Sequence, residues 1–460
     1  MSTSTRPATL DEVVAQSMER WTVPGIALGI WHDGQQSLHA HGLANLETGY
    51  PMREDTILQI GSISKIFTTT LLMMLVDEGL IALDDPVSKH LPGFRLTKDG
   101  TQNDVKIVNL VNHTSGVYGD HFEDFGWGDD ALERYVESMS ELRQVYEPGT
   151  LWSYTNSAFN LAGRIIELKL GTTFEQAMKE RVFEPLGMSR TFYFPHEAIA
   201  YPVSVGHTLV DPAGDEHEVA RRWPIPRASG PAGSISSTVG DMLKFARFHM
   251  GDGTWEGRRL LSEESIKLMQ EVHVEHTGMA DAWGLGWMIN FYDGEKVIGH
   301  GGATNGFNAH LDIVPARDFA LVILTNSDRG AAAYREIIDW VLEDRLGLKK
   351  QAAPVVPLEA EQLAEYAGDY SELLVDITIS VEGDGLRLDS IRKGALADTD
   401  EERKQPPVHL EPLGNDRFRV TNGATAGSIV DFFRHADGSI RFVRVGGRVI
   451  GRIPPAQAGN

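Results

Sequence analysis

The sequence contains no cysteine in 460 residues. Disulfides, thiolate nucleophiles and thiolate metal sites are therefore excluded. Long apolar runs are missing as well; no stretch reaches the ~18 consecutive apolar residues of a membrane span. Positive charge is scarce. Lys and Arg total 42 against 65 Asp and Glu, giving a formal net charge of −23. Phosphate backbones and anionic lipid surfaces repel such a chain, which argues against nucleic acid or a membrane as partner. The charge favours cationic or zwitterionic small molecules instead. There is no Gly-x-Ser-x-Gly elbow and no P-loop. The start, Met1 to Leu10, is polar and lacks an apolar segment before a small-residue cleavage site. The expectation from this is a protein without a secretory signal, and hence a cytoplasmic one.

Core-forming residues are plentiful. Hydrophobic residues make up 42% of the chain and recur along its whole length, so a sizeable buried core is expected. At ~100–200 residues per domain, the length fits two or three domains, or one large domain with an appendage.

Thr9 and Glu12 have capping-box spacing, which predicts a helix from about Leu10 to Trp21. Gly25 to Trp31, the turn pair Asp33-Gly34 and Ser37 to His41 read as a β-hairpin. Ser62 to Glu78 is nearly all apolar or Thr and is closed by Gly79, the pattern of a buried helix. Helices and Gly/Pro/Asp-rich loops follow to about Met279. Strand patterns return with Val297-Ile298, Gly306 to Val314 and Phe319 to Leu324, and a helix is expected at about Ala331–Leu346. Strands thus cluster near both ends of this region. The economical fold is α+β: one antiparallel sheet built from both ends and flanked by helices, with a mostly helical insertion. Gln351 to Pro357 reads as a linker. The short alternating segments after it predict a small all-β barrel or sandwich. The expected domains are residues 1–350, a linker at 351–357, and residues 358–460.

Three groups of residues carry chemistry. Ser62-Ile63-Ser64-Lys65 sits where a helix starts after Gly61. Positions i and i+3 share a helix face, so Lys65 lies beside Ser62. A serine hydroxyl needs a base, and a lysine packed under Ile66, Phe67 and Leu71 has its pKa pushed down by desolvation. Ser64, the rival nucleophile, has Phe67 at its own i+3 position. The second group is Tyr154-Thr155-Asn156, after a Pro148-Gly149 turn; it offers a phenol and an amide to one cleft. The third is His300-Gly301-Gly302 at a strand end, where two glycines admit a ligand or another backbone closely. The next backbone N–H, that of Ala303, pairs with the N–H of Ser62 as a candidate oxyanion hole. Each group alone has an ordinary structural reading: a helix cap, a buried tyrosine, a strand-end turn.

Ser-x-x-Lys, Tyr-x-Asn and His-x-Gly in this order resemble the three motifs of the serine β-lactamase and penicillin-binding protein superfamily. The resemblance is to its class C-like branch, which includes DD-peptidases, D-aminopeptidases and family VIII carboxylesterases. Asn112 to Gly116, Ser236 to Met242 and Trp283 to Trp287 also resemble family stretches, and the likeness spans roughly residues 10–345. It implies a β-lactamase/transpeptidase-like fold, with Ser62 as the acylated nucleophile and Lys65 as its base or as the activator of Tyr154. Tyr154 would relay a proton to the leaving group, and Asn156 would orient substrate. His300 stands where most β-lactamases carry lysine and would line the third wall. The tail after about Pro357 resembles, more weakly, the barrel appended to D-aminopeptidase-like members.

The expected activity is hydrolysis of small esters or amides through an acyl-enzyme, as in a carboxylesterase or D-aminopeptidase. A β-lactamase or DD-peptidase is the alternative, and a non-catalytic binding relative is the reading from another class. No cofactor is implied, and homo-oligomer formation is left open. His273-Val274-Glu275-His276 has loose metal-like spacing but lacks a third ligand in sequence, so no metal site is expected. Asp120, Glu123, Asp124, Asp129 and Asp130 form an acidic run that reads as a solvated loop, or as a cleft lip selecting a substrate ammonium group.

Overall fold

Thr9 accepts a hydrogen bond from the Glu12 N–H at 3.3 Å, and the helix Leu10–Trp21 starts there as its sequence predicts. The computed structural model of the chain describes residues 7–96, 105–211, 214–394 and 404–454. Strand Gly25–His32 turns through Asp33 and Gly34 into strand Gln35–Asn45. Both turn residues have positive φ, 49° and 74°, as a two-residue hairpin matching strand twist requires.

This hairpin joins strands from the far end of the sequence. Gly25–His32 pairs antiparallel with Phe319–Thr325, from Ile26 opposite Thr325 to His32 opposite Phe319. The sheet has nine described strands. Their order runs Val274–Glu275, Ala282–Trp283, Met288–Tyr292, Glu295–Thr304, Phe307–Val314, Phe319–Thr325, Gly25–His32, Gln35–Asn45, Tyr50–Pro51. Alternate side chains leave opposite faces of a strand, and the two faces bury separate clusters. Ala27, Leu311, Val322 and Leu324 pack with Phe67, Leu71 and Phe245. Ile26, Leu28, Leu321 and Ile323 pack with Val13, Val14, Ile337 and Val341 of helices Leu10–Trp21 and Gly330–Leu346. The chain between the hairpin and the later strands is mostly helical, with Ser64–Asp77, Ser157–Leu170 and Val239–Met250 as its longer helices.

One strand differs from its expected limits. His300-Gly301-Gly302 is not at a strand end, because strand Glu295–Thr304 continues past it and pairs with Phe307–Val314 up to Thr304 opposite Phe307. The turn falls at Asn305-Gly306, where Gly306 has φ +72°.

The C-terminal strands form a closed barrel of eight described strands, from Gly368–Glu372 to Arg448–Arg452. Tyr370 opposite Arg452 and Ser371 opposite Gly451 close it, which leaves no free sheet edge. By compactness the chain divides into two units. The first takes Met1–Thr150, Asn156–Glu275 and Ala282–Lys350; the second takes Leu151–Thr155, His276–Asp281 and Gln351–Asn460. The second unit therefore includes two short segments of the earlier chain. No helix among the described residues is long and apolar enough to cross a membrane.

Candidate active site

The Ser62 turn is a 3₁₀ segment, Gly61–Ile63, leading into helix Ser64–Asp77. Gly61 has φ +53°, a conformation that carries little steric cost only without a Cβ. A helix start places backbone N–H groups and the positive end of the dipole beside Ser62.

Lys65 is fully buried. Asn156 Oδ1 and the Ala232 carbonyl each accept from it at 2.7 Å, and Ser62 Oγ lies 3.2 Å away. The Phe159 ring centroid is 5.6 Å from Nζ. The two carbonyl oxygens hold the nitrogen within reach of the serine hydroxyl. Ser64 is placed differently. It is fully buried, donates to the Gly61 carbonyl at 2.7 Å and accepts from the Ile235 N–H at 3.2 Å.

Asn156 is set by its backbone and by both ends of its amide. The N–H groups of Asn156 and Ser157 donate to the Gly119 carbonyl at 3.0 and 3.1 Å. Its Oδ1 meets Lys65, and its Nδ2 donates to Asp120 Oδ1 at 3.0 Å. Asp120 thus contacts Asn156, while Glu123, Asp124, Asp129 and Asp130 of the same acidic run are exposed. The carbonyls of Gly119 and Ala232 were not singled out from the sequence, and Asp120 was singled out only as one member of the acidic run, not as a partner of Asn156. Backbone carbonyls carry no residue signature, and Asp120 was hidden in a charge run.

The strand carrying His300, Gly301, Gly302 and Ala303 presses on the Ser62 turn. Its neighbour Met288–Tyr292 pairs only as far as Gly299, and beyond that point Gly302 and Ala303 meet the turn. A Cβ on Gly302 would fall 1.9 Å from the Ile60 carbonyl oxygen and 2.9 Å from Ser62 N, and a Cβ on Gly61 would fall 2.6 Å from Ala303 N. The N–H groups of Ser62 and Ala303 are therefore drawn into one narrow contact. Gly302→Ala is expected to push the strand off the turn and lower kcat by about 10²–10³, the usual cost of a lost oxyanion donor. Steady-state kinetics on the folded variant checks this; a near wild-type kcat would contradict the close approach.

His300 is only 1% exposed, so it is not an accessible wall of a cleft. Its Nδ1–H donates to the Gly301 carbonyl, and its ring stands edge-on to Trp283 at 5.5 Å. Burial first, and then the charge of Lys65, pull its pKa down to about 3. His249 is also held down to about 3, by burial alone. Both imidazoles are neutral at physiological pH. The unfolded chain takes up protons near the ordinary histidine value of ~6.5 while the folded one does not, so stability falls as pH drops from there toward 3. NMR of the two imidazoles should show no protonation between about pH 8 and about pH 5. Titration near 6.5 would contradict their burial.

Tyr154 lies in the second compact unit, two residues before Asn156 in sequence. Its N–H donates to the Gly447 carbonyl at 2.8 Å, and the Arg448 guanidinium stands 4.8 Å from its ring centroid. His273 donates to the Leu268 carbonyl at 3.0 Å, and His276 offers its carbonyl to Arg444. Among the described residues, one group of three side chains has metal-ligand spacing: Asp11, His39 and His41, with donor atoms within 4.8 Å of one another.

A family model described as Beta-lactamase matches residues 10–344. The chain belongs to the beta-lactamase family. Its resemblance to beta-lactamase-family proteins extends to Penicillin-binding protein 4 of Amycolatopsis lactamdurans, 34% identical over 76% of this chain and 93% of that one. D-alanyl-D-alanine-carboxypeptidase/endopeptidase AmpH of Escherichia coli K12 is 26% identical over 66% of this chain and 80% of its own. The solved structure of SurE superposes with a TM-score of 0.76 at 25% identity, covering 96% of this chain and 98% of that one, and SurE has also been solved with D-Leu. The beta-lactamase family is one of serine hydrolases, and this protein is a hydrolase of that superfamily with a class C-like fold.

Proposed function

We propose that the protein hydrolyses small esters and D-amino-acid amides or peptides through an acyl-enzyme on Ser62. The observation that carries this reading is the setting of Lys65, held by two carbonyl oxygens and within hydrogen-bond reach of Ser62 Oγ. The substrate carbonyl oxygen sits between the N–H groups of Ser62 and Ala303. Ser62 Oγ attacks the carbonyl carbon, and its proton passes to Lys65 or, through Lys65, to Tyr154. Tyr154 gives a proton to the departing alcohol or amine. Water then attacks the ester formed on Ser62 and releases the acid. Asn156, tied to Asp120, keeps Lys65 in place.

Two features bear on substrate class. A neutral buried His300 supplies no fixed cation for the carboxylate of a β-lactam or of a peptide C-terminus. That favours esters and amides over an efficient β-lactamase. The names of the relatives, a penicillin-binding protein and a D-alanyl-D-alanine carboxypeptidase/endopeptidase, support D-amino-acid peptides and keep a DD-peptidase as the second reading. A substrate panel separates these: p-nitrophenyl esters, D-alanine p-nitroanilide, a D-Ala-D-Ala peptide and nitrocefin. Turnover of the first two with little of the last two is expected. Turnover of nitrocefin or of the D-Ala-D-Ala peptide alone would overturn the substrate assignment. Turnover of none of them would overturn the enzymatic one.

A further inference from the structure

The segment that carries Tyr154 is held by the barrel residue by residue. The Trp152 carbonyl accepts from Arg444 Nη1 at 3.2 Å, and Arg444 is itself buried and paired with Asp431 at 2.6 Å. Ser153 Oγ accepts from the Val449 N–H at 3.1 Å. The Tyr154 N–H donates to the Gly447 carbonyl at 2.8 Å. Three successive residues are thus tied to the hairpin that joins strands Ile440–Val445 and Arg448–Arg452.

The turn of that hairpin is built for close approach. Gly446 and Gly447 have φ +55° and +78°. A Cβ on Gly447 would fall 2.4 Å from Met279 Sδ and 3.3 Å from the Trp152 ring. The missing Cβ of Gly447 lets the backbone come this near, and the next residue, Arg448, stands against Tyr154. The Arg448 guanidinium is 4.8 Å from the Tyr154 ring centroid, and its Nη1 donates to the Gly446 carbonyl at 2.9 Å. The second bond fixes the guanidinium over its own turn. A cation over an aromatic face at this range is attracted to it, and a guanidinium tied back to the backbone holds the ring in one orientation rather than following it.

We propose that Arg448 is a positioning residue of the reaction, acting through Tyr154. The proposal rests on the reading of Tyr154 as the proton relay. A phenol that passes a proton must keep its oxygen within hydrogen-bond reach of both donor and acceptor. A small loss of orientation is then read in kcat rather than in substrate affinity.

The test is a double-mutant cycle on the full-length protein, with p-nitrophenyl acetate and D-alanine p-nitroanilide. Arg448→Met keeps the stem and removes the charge. It is expected to lower kcat roughly tenfold with KM changed less than about twofold. Arg448→Lys, which restores a cation over the ring, is expected to recover most of that loss. In a Tyr154→Phe background, Arg448→Met should change the residual rate less than about twofold, because the group it positions is gone. Thermal midpoints of the variants distinguish an effect on the site from loss of the barrel. An unchanged kcat in Arg448→Met overturns the proposal, as does an equal loss with and without the Tyr154 hydroxyl or an equal loss in Arg448→Lys. Near wild-type activity of Tyr154→Phe alone is a different failure, that of the relay reading itself.

Discussion

Ser62→Ala is expected to lower kcat/KM on any accepted ester or amide by about 10⁴–10⁶, while Ser64→Ala changes it far less. The contrast follows from where the two hydroxyls point. Ser62 Oγ faces the Lys65 nitrogen at 3.2 Å and is partly open to solvent. Ser64 Oγ is buried and fully engaged between Gly61 and Ile235. Loss of Ser62 removes the hydroxyl proposed to be acylated, so little more than binding and oxyanion stabilisation is expected to remain. Loss of Ser64 removes a bond that shapes the turn, which costs on the order of 1 kcal/mol of stability. Parallel kinetics on both variants checks the pair. If Ser64→Ala were the inactive one, the nucleophile would be misassigned.

Lys65→Ala is expected to cost about 10³–10⁵ in kcat, for two additive reasons. It removes the group nearest to the serine proton, and general-base assistance contributes typically 10²–10⁴. It also leaves the buried Asn156 Oδ1 and Ala232 carbonyl without this donor, which relaxes the wall that Asn156 and Asp120 form. Lys65→Arg separates charge from proton transfer. Arginine keeps the charge but does not give up its proton in a protein, so it is expected to be nearly as inactive as alanine. Substantial activity in Lys65→Arg would show that Lys65 serves by charge alone and would leave proton transfer to Tyr154.

How much of this was readable in advance depended on what kind of group did the work. Side-chain motifs were legible. Thr9 and Glu12 marked a helix start, Asp33-Gly34 a hairpin, and Ser62 to Lys65 a helix entry, because each uses a local rule of capping, turn sign or helix spacing. Long-range sheet order was legible only in outline. Apolar alternation at both ends of the chain gave the antiparallel sheet, but nothing local told that Glu295–Thr304 would run on past Gly302. Two glycines look like a strand end, whereas here they allow the strand to touch the Ile60 carbonyl. His300 looked like a wall residue because sequence shows neighbours along the chain and not Trp283, which covers its ring. Backbone acceptors were invisible: Gly119 and Ala232 act through carbonyls that every residue carries. Asp120 was legible only as one of an acidic run, since four exposed acidic residues share its stretch.

The central claim is that Ser62 is acylated, and intact-protein mass spectrometry after a fluorophosphonate probe tests it most directly. The account predicts one added probe mass per chain, mapped by peptide fragmentation to Ser62 and lost in Ser62→Ala but retained in Ser64→Ala. A folded sample that takes up no probe, or takes it up at another residue, would contradict it.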